Sequence, residues 1–130
     1  LKSTDGALNW SLTTIAYDDG SGSAPVELEQ LAVSTTGTIV GVGFYDNGTD
    51  EIGIVVRSTD DGATWEAVST CEVRLYSVAA STEGAGLFVC GGAEGVIGKS
   101  NTDGQTWATA DDLESNNKTI YAILYDDGTL

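Results

Sequence analysis

Residues 58–65 read STDDGATW, and the same shape returns as STDGALNW at 3–10 and SNTDGQTW at 100–107. In the central copy the Asp60 carboxylate can accept hydrogen bonds from backbone N–H groups further along, which closes a turn. Gly62 supplies the positive φ that a tight turn needs. Ser58 and Thr64 place hydroxyls on the same turn. Trp65 opens the next strand and can lay its ring over the loop, a residue type that covers about 150–250 Å². The stretch therefore predicts a self-contained hairpin staple, with Trp65 and Trp107 packed against the strands they close.

The flanks repeat as well. Ahead of Trp65 run LAVSTTGTIVGVG, a loop YDNGTDE and IGIVVRS; ahead of Trp107 run YSVAASTEGAGLFVCGG, AEG and VIGKS. Short Val- and Ile-rich runs bounded by Gly, Asp, Asn, Ser and Thr predict strands, and no segment holds helical spacing over three capped turns. The reading is all-β. Each unit of about 40–50 residues gives four antiparallel strands, with the octapeptide between the third and fourth, which predicts a β-propeller blade. The predicted layout is one domain over 1–130: a blade end at 1–20, blades at 31–70 and 75–110, and a blade start at 119–130 where YAILYDDGTL restarts the pattern. About three blades are thus present in part. The chain is expected to continue past both ends into a ring of about six to eight blades, or to sit in a larger assembly that covers its open strand edges.

Twenty acidic residues face five basic ones, a net charge of −15. That balance repels phosphate backbones and anionic bilayers, so neither nucleic acid nor membrane insertion is expected. No run is long enough and apolar enough for a membrane helix. The chain contains no His, which removes the commonest acid–base side chain and transition-metal ligand. DNGTDE is rich in oxygen ligands but lacks EF-hand spacing, so no metal or other cofactor is expected. Cys71 and Cys90 allow one disulfide, and two free thiols are the favoured reading. Asn9, Asn47 and Asn117 each begin an N-glycosylation acceptor triplet; Asn47, in a loop, and Asn117 are retained as candidate sites. Together these point to a secreted, periplasmic or organelle-lumenal protein.

The octapeptides resemble the Asp box, S/T-x-D-x-G-x-T-W, also called the bacterial neuraminidase repeat. Residues 58–65 match at Ser58, Asp60, Gly62, Thr64 and Trp65. Residues 100–107 match at Ser100, Gly104, Thr106 and Trp107, with Thr102 in the Asp position and Asp103 one place later. Residues 3–10 keep Ser3, Asp5 and Trp10 but carry Ala7 for Gly and Asn9 for Thr. The resemblance implies a propeller with these boxes at the blade periphery, in the company of sialidases, xyloglucan-degrading glucanases, sortilin-type receptors and photosystem II stability/assembly factors. VCGGAEGVIGKSNTDGQTW is most similar to the assembly-factor and glucanase branches.

Fold does not carry function. A sialidase would need three arginines, and only Arg57 and Arg74 exist. Arg57 is expected to face outward as a surface ion-pair partner, and Arg74 with Tyr76 to reach a propeller face. A glucanase would need two carboxylates across a cleft. Asp18–Asp19, Asp46, Asp111–Asp112 and Asp126–Asp127 instead sit in turn contexts such as YDDG and YDNG, and read as turn formers. No catalytic residue is assigned. The expected function is a non-catalytic binding or assembly scaffold that takes a protein or glycan at a propeller face. The alternative is an Asp-box glycoside hydrolase, xyloglucanase-like before sialidase.

Overall fold

The computed structural model describes residues 1–82, 86–110 and 118–124. The chain is all-β, with nine strands and one short 3-10 turn among the described residues. A curled five-stranded antiparallel sheet has the order β1–β2–β3–β4–β5, and a four-stranded one the order β6–β7–β8–β9. Every neighbour in each sheet is also the neighbour in sequence, so each connection is a hairpin. Sheet 1 comprises β1 (Ala16–Asp18), β2 (Ser23–Val33), β3 (Ile39–Asp46), β4 (Glu51–Ser58) and β5 (Glu66–Cys71). Sheet 2 comprises β6 (Leu75–Ala80), β7 (Phe88–Gly92), β8 (Ile97–Ser100) and β9 (Ala108–Ala110).

The strand expected from Leu31 begins at Ser23. Ala24, Val26 and Leu28 alternate with Pro25, Glu27 and Glu29, and the apolar set is the half-buried one. Pro25 had argued against a strand. It is tolerated because it lies in the first residues of β2, opposite Ala16 of the short β1.

The two sheets are built to one plan. The β2–β3 ladder slips between Leu28 and Gln30, and the β6–β7 ladder slips between Leu75 and Ser77. Opposite each bulge stands a glycine, Gly43 or Gly92, and a Cβ on either would run into the backbone carbonyl of Glu27 or Arg74. The bulged strand comes so close that no side chain fits between. Glu27, Leu28, Gln30 and Leu31 therefore correspond to Arg74, Leu75, Ser77 and Val78.

The sheets meet face to face. Val40, Val42 and Val55 of sheet 1 pack with Leu75, Val78, Phe88 and Cys90 of sheet 2, with Ala32 and Trp107 at the margin. Gln30 Oε1 accepts the Val78 N–H at 3.0 Å, tying the two innermost long strands together. The opposite face of sheet 1 holds Tyr45, Ile54 and Val56, packed with Ile15, Tyr17, Val26, Leu28 and Trp65. Residues 118–124 lie beside sheet 2: Ile120 donates its N–H to Gly92 O at 2.8 Å, and Ile120 and Ile123 fill the space over Gly91.

Candidate functional site

The three octapeptides close their turns in the same way. In 58–65, Ser58 Oγ donates to Asp60 at 2.8 Å and accepts the Gly62 N–H at 2.9 Å. The Thr64 N–H and hydroxyl donate to the two Asp60 oxygens at 2.8 and 2.6 Å. The carboxylate thus takes its donors from four residues on, further than the nearer N–H groups that the sequence suggested. Those donors, the Thr64 hydroxyl foremost, lower Asp60 to about 2. In 3–10, Ala7 N–H donates to Ser3 Oγ and Asn9 N–H to Asp5, both at 2.9 Å. Asp5 also stands at about 2, its largest cause being the Asn9 side-chain amide.

The third copy corrects the sequence reading of Asp103. Thr102 Oγ1 accepts the Thr106 N–H at 2.8 Å, the place that Asp60 fills in 58–65, while Gly104 N–H donates to Ser100 Oγ at 3.0 Å. A hydroxyl therefore closes this turn, and Asp103 is released for another task. Each turn also puts two successive residues at positive φ: Gly6 and Ala7, Asp61 and Gly62, Asp103 and Gly104. This geometry explains Gly62 and Gly104, and leaves Ala7 as the strained member.

The tryptophans differ by environment. Trp107 donates Nε1–H to Gly104 O at 2.9 Å and lies against Phe88. Trp65 makes the same bond to Gly62 O at 3.2 Å. Both are half-buried, whereas Trp10 remains 59% exposed.

Asp103 joins the sheets. It accepts the hydroxyls of Ser34 at 3.1 Å and Thr36 at 3.0 Å, with a further short bond from Thr38, all on the turn between β2 and β3. Arg57, read from the sequence as outward-facing, instead points across the sheet junction with only 15% of its side chain exposed. Its Nε donates to Asp103 O at 2.8 Å, and its NH1 pairs with Glu66 at 3.0 Å. Desolvation pushes the Asp103 carboxyl up, but the hydroxyls of Thr38, Thr36 and Ser34 together with the Arg57 charge outweigh it. The net shift is downward.

At the opposite ends of the strands an open groove of about 710 Å³ is lined by Asp50, Glu51, Glu72, Arg74 and neighbouring apolar atoms. Arg74 stacks on the Phe44 ring at 3.5 Å and pairs with Glu29 at 3.0 Å and Glu51 at 3.1 Å. Tyr76, named with Arg74 from the sequence, stands 5.6 Å from the guanidinium and stacks on Tyr121. Guanidinium, aromatic rings and carboxylates thus converge on one rim, formed by the β3–β4 and β5–β6 connections and the 93–95 turn.

The turn-forming aspartates behave as turn formers. Asp18 accepts the Gly20 N–H at 2.8 Å, and Asp46 accepts the Gly48 N–H at 2.7 Å. Asn47 caps the same loop through Thr49 and Asp50 N–H. Asp111–Asp112, Asn117 and Asp126–Asp127 lie outside the described residues. Among the described residues no group of three or more Cys, Asp or Glu side chains is placed to hold a metal ion.

Cys71 and Cys90 are free thiols that line one cavity of about 80 Å³ between the sheets. Cys71 donates to Val73 O at 3.1 Å. Burial pushes both thiols up, Cys90 to about 12. A thiol-specific disulfide reagent is therefore expected to label half-buried Cys71 slowly in the folded chain and to reach Cys90 only on unfolding. Two labels added at one rate under native conditions would contradict this arrangement.

Comparison with protein-family models, characterised proteins and solved structures finds no match to this chain.

Proposed function

We propose that the chain is a non-catalytic scaffold of the Asp-box β-propeller kind, its two sheets acting as blades, which presents the Arg74 rim to a protein or glycan partner outside the cytoplasm. The observation that supports this reading most is how the acidic groups are used. Asp5, Asp18, Asp46 and Asp60 accept hydrogen bonds within their own turns, and Asp103 accepts hydroxyls across the sheet junction. Glu29 and Glu51 share one guanidinium. A glycosidase needs one carboxyl free to donate a proton and a second free to attack or to activate water, and these groups are committed elsewhere. The rim, by contrast, combines aromatic faces with charged hydrogen-bonding groups, which suits recognition of a sugar or of a basic protein segment.

The test is incubation of the chain with soluble β-glucans and sialosides, with released reducing ends or free sialic acid as the readout. No release is expected. Hydrolysis that disappears in Glu29→Gln or Glu51→Gln would replace the scaffold reading with the hydrolase one. A parallel titration of the same glycans by calorimetry reads binding directly, and Arg74→Ala should abolish any that is seen.

A further inference from the structure

The two sheets meet through unlike faces. Sheet 1 offers Ala32, Val40, Val42 and Val55, with the Ser34–Thr38 turn and Arg57 beside them. Sheet 2 meets it with Leu75, Val78, Phe88 and Trp107, and with Asp103 reaching into the turn. Because the sheets share one plan, sheet 1 carries its own version of that second face. Leu28 and Leu31 stand for Leu75 and Val78, Ile39 for Phe88, Trp65 for Trp107 and Asp61 for Asp103. These residues line an open groove of about 690 Å³, bounded on its far side by Leu1, Lys2 and Thr13. Leu31 is 51% exposed and Val33 59%, although Val78, the counterpart of Leu31, is buried. The side chains are those of an interface, without the surface that covers them in sheet 2.

The molecule also displays an uncovered version of the first face. Residues 120–123, Ile-Tyr-Ala-Ile, repeat the pattern of Leu75-Tyr-Ser-Val78. Their Ile120 and Ile123 rest over Gly91 of sheet 2, as Leu75 and Val78 rest on sheet 1. Ala122 and Leu124 then correspond to Gln30 and Ala32, the residues through which β2 touches β6. Both are exposed, Leu124 at 91%. A single large apolar side chain at that exposure is unremarkable by itself. Here it sits at the position that contacts the next sheet in the junction already formed.

We infer that a second copy of this chain docks head to tail, the 118–124 strand of one copy entering the Leu28–Leu31–Val33 groove of the other. The contact is heterologous, so each copy keeps one donor face and one acceptor face, and growth continues until the rotation closes or the chains run out. It rests on the repeat visible in the two sheets and is independent of the scaffold reading. A net charge of −15 on each copy opposes the approach. Association should therefore strengthen with added salt, as screening shortens the Debye length to about 3 Å at 1 M.

Sedimentation velocity over a concentration series tests this. The expected result is a weight-average mass that rises above one chain with concentration, more steeply in high salt. Leu31→Lys and Leu124→Lys change exposed positions, so both variants should fold, which circular dichroism checks. Each alone should associate about tenfold or more weakly, because a Lys ammonium would have to be desolvated in the contact. Mixed in equal amounts they should form a 1:1 dimer, since each retains the face that the other has lost. A wild-type chain that stays at the mass of one copy at all concentrations in high salt would overturn the proposal. So would a Leu31→Lys variant that associates like wild type, or a mixture that gives no dimer.

Discussion

Trp107→Ala is expected to cost about 3–5 kcal/mol, the range for deleting a large aromatic from a packed site. Trp65→Ala should cost clearly less, and Trp10→Ala close to nothing. All three side chains end the same octapeptide, so the order tests environment rather than motif. Trp107 packs on Phe88, borders the cavity shared by Cys71 and Cys90, and sits where the two sheets join. Its removal opens a hole in the larger core cluster. It also strips a partner from Gly104 O, which accepts the indole N–H at 2.9 Å. Trp65 keeps the corresponding bond, but one side of its ring borders the open groove on sheet 1, so less packing is lost. Trp10 is 59% exposed and belongs to neither core cluster. Urea denaturation of the three variants, read as midpoint at constant slope, gives the order directly. Equal losses for Trp65 and Trp107 would mean that the octapeptide alone sets the cost.

The same contrast explains what was legible in the sequence. The staple chemistry of 58–65 was readable because every partner lies within a few residues: Ser58, Asp60, Gly62 and Thr64 find one another whatever the rest of the chain does. The all-β character followed from Val- and Ile-rich runs such as 39–45 and 52–57 between turn residues. The start of β2 was not legible, since Pro25 and alternating glutamates hide a strand whose apolar residues face only one side. Arg57 and Asp103 were misread for a different reason. Their partners are brought together by sheet stacking, and a sequence shows that an arginine stands beside an octapeptide but not that a second octapeptide lies across from it. Had Thr102 been weighed as a working substitute for the turn carboxylate, Asp103 would have stood out as surplus. The Arg74 rim was only half visible. Tyr76 is two residues away, whereas Phe44, Glu29 and Glu51 come from three other places in sheet 1.

Asp103→Ala should destabilise the chain by about 2–3 kcal/mol, the upper range for hydrogen bonds to a charged group, and should act on the sheet junction before the sheets themselves. The carboxylate receives Ser34, Thr36 and Thr38, and Arg57 lies alongside with its NH2 at 3.8 Å. Removing it leaves three hydroxyls at the junction without their shared acceptor. Arg57 keeps Glu66 and the residue 103 backbone carbonyl, so the charge does not become an orphan. Asp103→Asn is the sharper variant. It keeps the shape and one acceptor oxygen but cannot titrate. Because the folded carboxyl is depressed below its ordinary value of 3.8, its contribution is fully present above that value and is lost as pH falls through the folded value. Wild type should therefore lose stability on acidification below 3.8 more steeply than Asp103→Asn, with the two curves parallel at neutral pH. Asp60 is lowered to about 2 and titrates in the same region, but both proteins carry it, so it cancels in the difference. Thermal melts from neutral pH down to acid, run on both proteins, measure that difference. Hydrogen exchange at neutral pH locates it: Asp103→Ala should lower protection first at the Ser34–Thr38 turn, where Ser34 N–H bonds to Thr38 O at 2.9 Å, and only later within the β3–β4 ladder. Unchanged protection at that turn, or an acid slope identical in wild type and Asp103→Asn, would show that apolar packing alone holds the sheets together.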